Sequence, residues 1–90
     1  MESKYSIKDL ERISGIKAHT LRIWEQRYDL LQPSRTETNI RYYTNADLKR
    51  IINVSLLNNN GYKISTIAKL DDNKLIKEVE NFFNSYRKES

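Results

Sequence analysis

A single glycine, Gly15, separates two short runs with helical apolar spacing, and no other feature of this sequence constrains its fold as much. Before it, Ser6-Ile7-Lys8-Asp9 sets a serine and, three residues on, an acid in capping-box order, with Asp in place of the usual Glu or Gln. A helix is expected from about Ile7 to Ser14, with Leu10, Ile13 and Ile7 on its apolar face and a few extended residues around Tyr5 ahead of it. Gly15 closes it at a position suited to positive φ. Beyond Ile16, the stretch from Lys17 to Tyr28 reads as a second helix, because Leu21, Trp24 and Tyr28 recur at i, i+3 and i+7. Helix, glycine turn, helix is a helix-turn-helix pattern.

The face of the second helix opposite that stripe carries His19, Arg22, Ile23 and Gln26, with Thr20 and Arg27 to one side. Arg can read guanine, Gln can read adenine and an apolar side chain can meet a thymine methyl, so this is the face a helix presents to a major groove. Asp29 is expected to end the helix. Past Pro33, Ser34 to Tyr43 reads as two short strands around a polar loop from Thr36 to Asn39, where Asn39 is the residue suited to positive φ. A hairpin after a helix-turn-helix is a wing. Within Arg41-Tyr42-Tyr43 successive side chains change face, so Tyr43 is placed inward and Arg41 toward phosphate, with Tyr42 on either the core or the DNA side.

Thr44-Asn45-Ala46-Asp47 repeats the capping pattern and opens a helix to about Asn60. Its apolar residues, Leu48, Ile51, Ile52, Val54, Leu56 and Leu57, cover more than half the circumference, which calls for two packing neighbours. Asn58-Asn59-Asn60-Gly61 stops it. Tyr62 to Leu70 reads as a short fourth helix with Ile64, Ile67 and Ala68 inward, and Asp71 or Asp72 caps a fifth of about fifteen residues. In that last helix Leu75, Ile76, Val79, Phe82, Phe83 and Tyr86 share one stripe, which either closes the domain's own core or pairs with a second copy.

Composition narrows the function classes. Ninety residues make one small domain with a modest core and little room for a deep substrate cavity. Zero Cys and one His exclude disulfides, a thiolate zinc site and a Cys nucleophile. Glu25 and Asp47 are explained by a salt bridge and a helix cap rather than by acid–base catalysis, and Trp24 by the core. No enzyme, metal or cofactor is therefore expected in this chain. No apolar run approaches the roughly 18 residues that span a membrane, so a cytoplasmic location is the default. The formal charge of +4 is unevenly spread, with seven Lys or Arg against four Asp or Glu between residues 17 and 50. An anionic partner belongs on that middle third.

The phrases Gly15-Ile-Lys-Ala-His-Thr-Leu-Arg-Ile-Trp-Glu, Gln-Arg-Tyr-Asp-Leu-Leu-Gln-Pro-Ser-Arg-Thr and Ile-Arg-Tyr-Tyr-Thr follow one another in this chain. With them the stretch from about Tyr5 to Leu70 resembles the DNA-binding domain of MerR-family transcriptional regulators, and Leu-Arg-Ile-Trp-Glu-Gln-Arg-Tyr looks most like the branch joined to a cobalamin-binding domain. The resemblance implies a mainly α winged helix-turn-helix with a small β-hairpin wing, residues 1–70, followed by a short C-terminal helix, residues 71–90. It implies a sequence-specific module that binds promoter or operator duplex DNA in a bacterial regulator, cut from a longer chain. Lys17, Ala18, His19, Thr20 and Arg22 match the start of the recognition helix; Arg35, Asn39, Arg41 and Tyr42 fall in the hairpin wing; Tyr62 and Lys63 match a second, helical wing. Gln26 joins this set from the helical face.

Two positions depart from the family pattern: Lys17 stands where a capping Ser is common, and Asp29 where glycine is usual. Many members dimerise through a long antiparallel coiled coil, and a last helix of roughly 22 Å leaves a homodimer open. Two other readings fit the sequence. One is an excisionase-like architectural DNA-binding protein; the other is a protein-interaction module using the final aromatic stripe.

Overall fold

The computed structural model describes residues 4–31 and 33–89, with side chains described as far as residue 85. In chain order the elements are α1 (Ile7–Ser14), α2 (Ala18–Tyr28), β1 (Ser34–Arg35), β2 (Arg41–Tyr42), α3 (Asn45–Asn59), α4 (Ile64–Ile67) and α5 (Asp72–Glu89). Local signals set most of these bounds. Ser6 and Asp9 form a complete capping box at α1, as do Thr44 and Asp47 at α3. Gly15 takes a left-handed backbone at φ 79°, and the non-glycine residues Asp29 and Asn39 do so at φ 53° and 65°. Asp and Asn tolerate that region better than most residues, so the chain can turn there without glycine.

The core is Leu10 from α1, Leu21 from α2, Leu30 and Leu31 from the segment after it, Tyr43, then Ile51, Val54, Leu57, Ile67 and Leu75. Trp24 packs against it. α3 is the central post, touching α1, α4 and α5, which is one neighbour more than its apolar coverage suggested. Its inward Ser55 is buried and donates to the Ser14 carbonyl at 3.1 Å, fixing the glycine turn to the post.

Two expectations are corrected. α4 is four residues long rather than nine. Its last turn tightens into i→i+3 bonds, with the amides of Lys69 and Leu70 donating to Thr66 and Ile67, so the helix unwinds before Leu70. α5 is longer than expected, at 18 residues, and Asp71 caps it by accepting from the Lys74 amide at 2.8 Å. Ile76 and Phe83 remain about half exposed. Apolar phase aligns residues on one side of a helix, but α3 covers only part of that side. Ile13 is left open at the edge of short α1 for the same reason.

Candidate nucleic-acid interface

α2 starts without a side-chain cap, because Lys17 at the N-cap position has no acceptor to offer. Glu11 of α1 reaches across the turn instead, and its carboxylate accepts from the Ala18 amide at 2.7 Å. A negative group at a helix N-terminus satisfies an orphan donor and opposes the positive end of the macrodipole. Ala18 therefore has its amide already engaged and its methyl half-buried, which leaves it little to offer a ligand. One signal marks Glu11: an acid facing the glycine turn ahead of a helix that lacks its usual cap.

The outer face of α2 is as its periodicity placed it. His19, Arg22 and Gln26 are exposed, together with Lys17, while Thr20 and Ile23 are half-buried. Leu21 on the opposite face is fully buried, so the helix cannot roll to hide its polar side without unpacking the core.

The hairpin stands beside this face. Its register pairs Ser34 with Tyr42 and Arg35 with Arg41, and the amides of Thr36 and Asn39 close its loop on Ile40 and Thr36. Two guanidinium groups directly opposite each other repel. Each is held by a different neighbour: Arg35 donates to Asn39 Oδ1 at 3.1 Å, and Arg41 donates to Glu25 Oε2 at 3.1 Å. The other oxygen of Glu25 accepts from the Tyr43 hydroxyl at 2.5 Å. A nearly buried carboxylate of α2 thus grips two residues of the wing. Burial and the Glu25 carboxylate both hold the Tyr43 phenol well above its usual pKa, so it stays a donor.

This geometry places Arg41 beside α2. It shares the inward side of the strand with Tyr43 and turns toward α2, half exposed, with part of its charge answered by Glu25. Arg22 and Arg41 line the same concavity with Ser6, Ile7 and Tyr43. Tyr42, on the other side of the strand, is half-buried and lies outside the core. Lys63 is exposed at the N-cap of α4, and Tyr62 packs on the core beside it.

Arg50, which no sequence pattern marked, links the elements behind the interface. It donates from Nε to the Leu30 carbonyl at 2.8 Å, from one terminal nitrogen to the carbonyls of Leu70 and Ala68 at 3.0 and 3.3 Å, and from the other to Asp72 at 3.1 Å. The exit of α2, the end of α4 and the start of α5 are joined through one largely buried guanidinium. Among the described residues no group of three His, Cys, Asp or Glu is placed to hold a metal ion, and no helix is long and apolar enough to cross a membrane.

The family model for MerR HTH family regulatory proteins matches residues 5–74. HTH-type transcriptional regulator MlrA of Escherichia coli (strain K12) is 34% identical over 77 residues, covering 86% of this chain and 31% of that protein. HTH-type transcriptional repressor CarH of Myxococcus xanthus is 35% identical over 69 residues, covering 77% of this chain and 23% of that protein. This chain thus spans about a quarter to a third of the length of these relatives. Among solved structures, HiNmlR, a MerR family regulator lacking the sensor domain and bound to promoter DNA, is similar with a TM-score of 0.65 at 27% identity. That match covers 96% of this chain and 69% of that one.

Proposed function

The chain belongs to the MerR HTH family of regulatory proteins, and we propose that it is a duplex-DNA-binding module of a transcriptional regulator, with α2 in the major groove and the wings on the flanking backbone. One observation carries this reading: the exposed donor face of α2 runs into the paired arginines of the hairpin through the concavity shared by Arg22 and Arg41. A polar helix face locked outward by a buried Leu21, beside cations crowded in register, matches a ligand that offers base edges and phosphates together.

In this reading His19, Arg22 and Gln26 meet base edges, with Thr20 at their margin and Ala18 allowing close approach. Lys17, Arg35, Arg41 and Lys63 neutralise phosphates, and Asn39 and Tyr42 shape the hairpin against the backbone. No catalytic group, metal or cofactor is assigned to these residues, and the module acts in the cytoplasm. Two copies joined through the half-exposed Ile76 and Phe83 of α5 would bring two heads to one operator.

The test is titration of the chain onto labelled duplex DNA over a range of salt. Four phosphate contacts predict a log–log slope of about −3 to −4, since each neutralised phosphate contributes about 0.9. A chain that binds no duplex even at low salt contradicts the reading. That outcome would favour a protein-interaction module, for which exposed Ile76 and Phe83 are the available surface.

A further inference from the structure

A single antiparallel bridge ties the N-terminal segment to the end of the hairpin. Tyr5 and Tyr43 exchange both backbone hydrogen bonds at 2.8 Å, laying the N-terminal segment along the free edge of β2. Tyr5 is fastened again by its hydroxyl, which donates to Asn45 Oδ1 at 2.8 Å. Because successive residues change face, Tyr5 follows buried Tyr43 inward, and Lys4 falls on the opposite side with Tyr42. There the Lys4 ammonium lies 5.0 Å from the centroid of the Tyr42 ring. A ring face attracts a cation without pairing it to a counter-charge, so Lys4 is steered into place beside Tyr42.

Lys4, Tyr42, Arg35, Thr36, Glu37 and Thr38 line one shallow concavity of about 440 Å³. Among the described residues neither Lys4 nor Arg35 is ion-paired, whereas Arg12, Arg41 and Arg50 each have a carboxylate. The partner of Arg35 is the neutral amide of Asn39. Two cations that have no carboxylate partner among the described residues therefore line one open cleft of the wing.

We propose that this cleft seats a backbone phosphate of duplex DNA, with Lys4 supplied by the N-terminal segment and Arg35 by the hairpin. The proposal rests on the DNA-binding reading above and extends the wing to a segment outside its motif. A phosphodiester suits the cleft because it asks for positive charge on an open surface rather than an enclosing pocket. Glu37 works against the anion from the same rim, which gives the idea a second test of opposite sign.

The experiment titrates the chain and three variants, Lys4→Gln, Lys4→Arg and Glu37→Gln, onto a fluorescent random-sequence duplex across a range of salt, with thermal midpoints measured in parallel. Lys4→Gln is expected to weaken binding about fivefold near 0.1 M salt and to lower the slope by about 0.9, as for one lost phosphate contact. Lys4→Arg restores both, Glu37→Gln tightens binding about threefold, and the midpoints stay within a degree or so of the parent. If the parent binds and Lys4→Gln binds with the same affinity and slope, Lys4 touches no phosphate and only this proposal falls. Weakening that comes with a lowered midpoint and is not restored by arginine would make Lys4 a structural residue and also overturn it. No binding by the parent removes both readings together.

Discussion

α2 and the hairpin meet at Glu25, yet they are held in place by different physics. α2 rests on fully buried Leu21 and on Trp24 packed against the core, and its ends are set by Glu11, Asp29 and the glycine turn. The hairpin pairs two residues in each strand and places its two arginines side by side, so it hangs from polar contacts: Glu25 with Arg41 and Tyr43, Asn39 with Arg35, and Tyr5 along the edge. Apolar burial is neither screened by ions nor titrated by protons, whereas half-exposed ion pairs and phenol hydrogen bonds are. The proposed base-reading helix is thus fixed, and the proposed phosphate-gripping wing adjusts with its electrostatic surroundings.

Removing the apolar support gives the largest effect expected. Leu21→Ala should cost about 3 kcal/mol in a denaturant melt, as for a fully buried leucine. A loss below about 1 kcal/mol would show that α2 does not depend on the core.

A smaller effect belongs to the hairpin and is driven by pH. Tyr43 in the fold holds its proton above the pKa of an unfolded tyrosine, about 10. Its contribution to stability is complete below pH 10 and declines as pH rises further, because the unfolded chain then sheds the proton first. The decline approaches about 1.4 kcal/mol per pH unit. Tyr43→Phe should be less stable at neutral pH and lack this part of the alkaline loss. Parallel pH profiles of parent and variant above pH 10 would break the link between Tyr43 and Glu25.

The smallest expected term is the ion pair itself. A double-mutant cycle of Glu25→Gln and Arg41→Gln should give a coupling of about 0.5–1 kcal/mol, because Arg41 is half exposed and screened. It should shrink as salt is raised. A coupling unchanged by salt would mean that the wing is held by packing, as α2 is.

The same division explains what could be read from the sequence. The bounds of α1, the end of α2, the turn at Gly15, the left-handed Asp29 and Asn39 and both capping boxes are local, set by residues within about one turn of each other. The outer face of α2 followed from periodicity, since 100° per residue fixes which side chains oppose Leu21. Contacts across longer separations left little local trace. Glu11 caps a helix seven residues ahead, Glu25 grips Tyr43 eighteen residues on, and Arg50 collects carbonyls from Leu30 to Leu70. Tyr42 was undecided because alternation separates it from Tyr43 without saying what lies on either side. The stripe on α5 gave the phase of Ile76 and Phe83, but coverage depends on where α3 ends against it.

Selection from a random duplex library, run in parallel with the parent chain and Arg22→Ala, shows whether α2 reads sequence. The parent is expected to enrich a short motif, and Arg22→Ala to lose preference at a base within it while keeping most of its affinity for unselected DNA. A lost base-edge contact of this kind is worth about 1–3 kcal/mol of discrimination. Enrichment of the same motif by both proteins, or of none by the parent, would contradict the assignment of α2 as the helix that reads sequence.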